Sequence, residues 1–221
     1  TSKMRTIFIG INRNVFKPDN SKTENLRQLK IDPSKRIILF AGDITPWKGI
    51  DTFLQAFAEV NRQNSNTLAI LMTKNIYKYE SERRAEIEKL IDKLEIRENI
   101  YFIGQHEKIQ DIYNVADIVV FPYVTLFSVM DIPLSLLEAM SVKKPVVVTN
   151  VGAMGEALEN NSGLLIQPEN PPELSKALNY LLANETARET LSENAYNKVA
   201  QQFDVEQTAK ELETLYYELL R

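Results

Sequence analysis

Lys48 stands next to the end of the segment Gly42-Asp43-Ile44-Thr45-Pro46-Trp47-Lys48-Gly49, which runs from an apolar stretch into one of helical period. A cation beside the unpaired N–H groups of a helix start makes an anion site suited to phosphate. The plainer alternative is a solvated lysine at a turn. The segment lacks both the G-x-x-x-x-G-K-[ST] order of a P-loop and the G-x-G-x-x-G of a dinucleotide fingerprint. Glu138 is the only charge between Ile132 and Val142. A carboxylate on so apolar a helix needs a partner, since unpaired burial is costly. A ribose diol offers it two hydroxyl donors, and a neighbouring loop's N–H groups or a lysine would serve equally. Asp131 is a plausible N-cap of that helix, with Pro133 in its first turn. A third segment, Thr149–Glu156, could line the same crevice or be an ordinary loop. His106 is the single histidine, and a lone histidine is more often structural than catalytic. No cluster has metal-ligand spacing and no Ser-His-Asp arrangement stands out.

The elements that must position these groups are legible in the apolar pattern. Strands are expected at Arg36–Ala41, Thr67–Met72, Asn99–Ile103, Asp117–Phe121, Pro145–Thr149 and Gly163–Ile166. Several lack polar alternation, as strands covered on both faces do. Helices are expected at Asp51–Asn61 with Asp51 as its cap, and at Glu80–Leu94, Ile109–Ala116 and Pro133–Val142. Three more follow the last strand, at Pro172–Ala183, Thr186–Gln201 and Asp204–Leu220. Alternation of this kind specifies an α/β fold: a doubly wound, Rossmann-like parallel sheet of about six strands with helices on both faces. Gly42, Gly104 and Gly152 each follow a strand, where such sheets place ligand loops, and Gly49 precedes a helix. Thr6–Gly10 is expected as a short strand leading into an irregular stretch, Ile11–Asn20. The organisation expected is a connection over 1–20, one domain over 21–203 and a terminal helix over 204–221. That helix either caps the domain or packs elsewhere.

Thirty acidic against 26 basic residues leave a net charge of -4, which argues against a nucleic-acid-binding surface. The absence of cysteine removes disulfides and thiolate metal sites. No apolar run approaches the roughly 18 residues of a membrane span, and no signal-peptide core opens the chain. A soluble, cytoplasmic protein is expected, with at most peripheral membrane association.

Taken in order, these segments resemble the C-terminal domain of family 4 (group 1) glycosyltransferases. Gly42, Ile44, Lys48 and Gly49 fit the family's G-R-[hydrophobic]-x-x-x-K-G. Leu137-Glu138-Ala139-Met140 followed by Pro145-Val146-Val147 fits the end of its E-x7-E segment. Thr149–Glu156 is similar to T-x-x-G-G-x-x-E, and Asn161–Pro168 to N-G-L-L-V-P. Tyr101–Gly104 and Tyr113–Pro122 resemble F-x-G and A-D-V-x-V-x-P, and Ile11–Pro18 resembles the connection leaving the N-terminal domain.

The resemblance implies one half of a GT-B fold, retaining and metal-independent, working in polysaccharide or glycoconjugate biosynthesis. It implies no cofactor. The donor is a UDP- or GDP-sugar, the acceptor a sugar or lipid-linked molecule, and the remaining partner an N-terminal GT-B domain. By position, Lys48 meets the diphosphate with Gly42, Asp43 and Gly49 around it. Glu138 holds the ribose. Ile132, Pro133 and Leu134 approach phosphate or donor sugar, and Gln105, His106 and Ile109 lie near the base. Lys48, Glu138 and Asp131 form the implied catalytic set. Two positions depart from the pattern. Asp43 stands where the family has arginine, and Met130 stands at the first glutamate of E-x7-E, with Asp131 one place along. Lys74, after the second strand, is the candidate replacement cation. A non-catalytic relative serving as a binding or partner domain is the alternative, and a sugar-nucleotide epimerase the third reading.

Overall fold

A computed structural model describes residues 5–73, 79–104, 106–125, 127 and 131–220, with backbone alone at 79–81. Six strands, β1 (Arg36–Ala41), β2 (Thr67–Met72), β3 (Ile100–Ile103), β4 (Ile118–Phe121), β5 (Val146–Thr149) and β6 (Leu164–Ile166), form one parallel sheet ordered β3-β2-β1-β4-β5-β6. The chain winds outward from β1 through β2 and β3, then returns beside β1 and winds the other way. Neighbours β1 and β4 therefore mark the topological switch point, where such sheets open a crevice at their carboxyl ends.

Strand residues feed two cores by their period of two. Ile37, Leu39 and Ala41 of β1 pack toward one face and Ile38 and Phe40 toward the other. The first face is covered by α1 (Lys22–Gln28), α4 (Ile109–Val115), α5 (Leu134–Ser141), the single turn α6 (Met154–Ala157) and α8 (Glu185–Gln202). The second is covered by α2 (Ile50–Gln63), α3 (Tyr79–Lys93) and α7 (Pro171–Ala183). α2 shows why: Ile50, Phe53, Leu54, Phe57 and Val60 are buried while Gln55, Arg62 and Gln63 face water, an amphipathic stripe. Asparagine caps start α7 and α8, where Asn170 accepts from Glu173 N and Asn184 from Ala187 N.

Several expectations need correction. Residues 6–10 form no strand; Ile11 makes one isolated bridge to Asp204. Gly10 lies against the start of α9 (Val205–Leu219), where a Cβ would come within 2.4 Å of Val205 Cα. The segment thus runs along a helix, which offers no ladder of hydrogen bonds. Asp51 does not cap α2: Gly49 occupies that position, and Asp51 sits inside the first turn. Asp131 does not cap α5, because Pro133 does, and Asp131 is exposed. The helices α1 and α6 were not expected. Each is short, and α1 buries only Leu26, too little to write a period.

The stretch 11–20 is tied to the α4–α5 side. Ser141 Oγ donates to the Phe16 carbonyl. Asn114 Nδ2 donates to the Lys17 carbonyl at 3.1 Å, while its Oδ1 accepts from Asp19 N at 3.2 Å. α9 behaves differently. Asp204 caps it, yet none of its described residues is buried, and Leu212, Tyr216, Tyr217 and Leu219 are exposed.

Candidate functional site at the switch point

The loop after β1 and the loop after β4 meet in the crevice. Val124 N donates to the Trp47 carbonyl at 2.9 Å. Gly49 adopts φ 72° and lies so close to Pro122 that a Cβ would sit 1.8 Å from its carbonyl oxygen. Both freedoms of glycine are therefore used at one residue. Gly42 uses neither, since a Cβ there would find ordinary 3.6 Å contacts. Behind these loops, buried Thr149 Oγ1 donates to the Tyr123 carbonyl at 2.7 Å, tying the end of β5 to the β4 loop.

Lys48 lies in this junction, only 8% exposed. Its Nζ stands 3.8 Å from the centroid of the Tyr123 ring, a cation–π contact strengthened by desolvation. Burial pulls the ammonium down to about 8, against the opposing pull of Asp43. Asp43 accepts from Thr45 N at 3.1 Å and from the Thr45 hydroxyl. Its carboxylate is thereby partly spent on its own loop. Gly49 is the N-cap of α2 and Pro133 that of α5. Both starts follow strands that flank the switch point, so their first-turn N–H groups belong to this end of the sheet.

Glu138 projects from α5, half-buried. Buried Tyr113, on α4, donates its hydroxyl to Glu138 Oε2 at 3.0 Å. Burial first, then the Glu138 charge and hydrogen bond, hold that phenol well above its ordinary range. Tyr123 is pushed up to about 12 by burial and by the charges of Asp43 and Glu138, against a hydrogen bond from Ser135 of α5. Tyr123 thus meets Lys48 with its face.

Ile132 and Pro133 are buried at the start of α5, with Leu134 partly so. His106 turns inward on its own loop, with Nδ1 at 3.2 Å from Lys108 N and 3.1 Å from the Lys108 carbonyl. With half-buried Ile109 it follows β3, the edge strand, two strands from β1. Gln105, Met130 and Lys74 lie outside the described residues. A polar hollow lined by Arg36, Asn66 and Thr67 lies at the opposite, amino edge of the sheet and contains none of these groups.

A family model described as glycosyl transferases group 1 matches residues 21–198. This chain belongs to that family. An uncharacterised glycosyltransferase of Methanocaldococcus jannaschii is 27% identical over 221 residues, covering 97% of this chain and 54% of that protein. A glycosyltransferase structure from Rickettsia africae superposes with a TM-score of 0.87 at 20% identity, covering 97% of this chain and 57% of the other. The Anabaena protein HepE in complex with UDP gives 0.87 at 24%, covering 96% and 57%. The fold is that of GT-B glycosyltransferases. The chain spans about half the length of the relatives it matches.

Several residues that shape this crevice carry no signal of their own in the sequence. Tyr113, Ser135 and Thr149 stand only inside longer segments, and Tyr123 lies just beyond the one that ends at Pro122. Arg83, on α3, was not singled out at all. Its Nε donates to the Ile44 carbonyl at 3.1 Å and its guanidinium pairs with Asp51, bracing the β1 loop from outside. Nothing local marks an arginine on a charged helix for that task. Arg83→Met is expected to lower stability by about 1–3 kcal/mol, since the Ile44 carbonyl and Asp51 lose their donor. Urea unfolding reads this, and an unchanged midpoint would show that the loop holds itself.

Proposed function

We propose that this chain is the donor-binding half of a retaining, metal-independent glycosyltransferase. It moves sugar from a nucleotide-diphosphate sugar to a glycan or lipid-linked acceptor. The observation that carries the reading is buried Lys48 on the β1 loop, joined to the β4 loop through Tyr123 and Val124 at the switch point of a group 1 chain, with Glu138 on the helix that follows β4. Lys48 and the first-turn N–H groups of α2 and α5 meet the diphosphate, whose charge grows as the sugar departs. Glu138 takes the ribose hydroxyls. The UDP complex of HepE supports a nucleotide diphosphate as the ligand class. Residues 21–203 form the binding domain, and the exposed apolar side of α9 packs on the other half of the enzyme, which carries the acceptor site.

Calorimetric titration with UDP, GDP and their nucleosides tests the reading. Binding of one diphosphate with clear preference over its nucleoside is expected. No heat with either diphosphate would favour the non-catalytic alternative. Transfer is expected to need the other half, because acceptor positioning accounts for about 7–11 kcal/mol of barrier lowering. Robust transfer by residues 1–221 alone would contradict that division.

The Lys48 ammonium also sets a pH dependence. With its value near 8 in the free protein, the charge is present below that pH and lost above it. A bound diphosphate favours the charged form. Affinity is therefore expected to be full below pH 8 and to fall as pH rises from 8 to 9.5, with Lys48→Met flat over that range. A flat wild-type profile would assign anion binding to the helix starts alone.

A further inference from the structure

Tyr113 is completely buried between α5 and the 11–20 stretch. A phenylalanine would fill that space without a hydroxyl that must find a partner. The hydroxyl finds one in Glu138, 25 residues away, at 3.0 Å from Oε2. The ring itself is held. Phe16 meets it edge-on with centroids 6.4 Å apart. The next residue, Asn114, binds the backbone of Lys17 and Asp19, and Ser141 holds the Phe16 carbonyl. The donor therefore stands on a fixed platform. A glutamate side chain has three rotatable torsions, and a fixed donor on one oxygen removes much of that freedom before a ligand arrives, which is the general route to preorganised binding.

We propose that Tyr113 is a positioning residue, setting the Glu138 carboxylate in the orientation that receives the donor ribose. This rests on the reading of Glu138 as the ribose ligand. The tyrosine touches no substrate and acts only through the carboxylate. Its distinguishing consequence is that its hydroxyl matters for a ligand with ribose hydroxyls and is irrelevant for one without them.

The test is calorimetric titration of wild type, Tyr113→Phe, Glu138→Gln and the double variant. The ligands are UDP and GDP with their 2′,3′-dideoxy forms. Wild type is expected to prefer the ribonucleotide. Tyr113→Phe is expected to weaken the ribonucleotide about 5- to 10-fold, the scale of one hydrogen bond, and leave the dideoxy form within about twofold. In the Glu138→Gln background the same change is expected to have no further effect, as coupled residues show in a double-mutant cycle. Equal weakening of both ligands, or additive effects of the two substitutions, would overturn the positioning role in favour of packing. Wild-type discrimination that Tyr113→Phe leaves untouched would overturn it too, with the ribose reading intact. Equal wild-type affinity for both ligands would instead remove the ribose contact, and the proposal with it. The ring is kept in Tyr113→Phe, and thermal unfolding of each variant confirms that a fold is being compared.

Discussion

Gly49→Ala is expected to lower stability by about 2–5 kcal/mol and to damage nucleotide binding in the same variant. Two costs coincide at this residue. Its φ of 72° puts an L side chain in the left-handed region, at about 1–2 kcal/mol. The added Cβ would also lie 1.8 Å from the Pro122 carbonyl oxygen and 2.8 Å from the Pro122 carbonyl carbon. Both are backbone atoms, so no rotamer change relieves the overlap and the two loops must part, at a further cost of about 1–3 kcal/mol. For a chain of this size the sum corresponds to a drop in Tm of about 5–15 °C. Parting the loops also strains the bond from Val124 N to the Trp47 carbonyl and moves Lys48 from the Tyr123 face. Differential scanning calorimetry reads the first effect and diphosphate titration below the new Tm the second. A variant with unchanged Tm would show that the loops separate freely and that the crevice is not built on this contact.

Lys48→Met is expected to weaken nucleoside diphosphate binding about 10- to 150-fold, from about 1.5–3 kcal/mol for a hydrogen bond to a charged group. Nucleoside binding is expected to change little. Methionine keeps an apolar stem in the narrow space against Tyr123, where Lys48 is 8% exposed, so the loss reports the charge and not a cavity. Desolvation works in favour of a large effect. A buried ammonium has already given up water and rests on a π face, and a diphosphate replaces that weak partner with a strong one. Equal losses for diphosphate and nucleoside would reject the assigned role and leave Lys48 as a packing residue.

The local half of this structure was readable because it depends on neighbours in the chain. β1 and β2 have the boundaries expected from Arg36–Ala41 and Thr67–Met72, since runs buried on both faces write themselves as unbroken apolar stretches. The glycine before α2 was legible as a position for positive φ or close approach, and it proves to need both. Capping was not legible. Asp51 and Asp131 are good N-cap types, yet Gly49 and Pro133 hold those positions. At Gly49 the contact with Pro122 comes from the loop after β4, far along the chain, and a local rule cannot weigh it. The same limit applies to Thr6–Gly10, where Gly10 lies against the start of α9 and the segment has no strand to pair with.

The sequence by itself determined the alternation of strands and helices, the parallel sheet, the family resemblance and the candidates Lys48 and Glu138. All of these follow from residue type, period and ordered short motifs. Tertiary structure alone decided that β4 lies beside β1, which brings the loop carrying Lys48 to the helix carrying Glu138. It also decided that Lys48 rests on the Tyr123 ring, that Tyr113 reaches Glu138 across 25 residues and that Arg83 braces Ile44 across 39. The physical reason is that strand order and side-chain contact are set by how crossovers pack over a shared core. A crossover's direction leaves no period or composition in the segment that makes it.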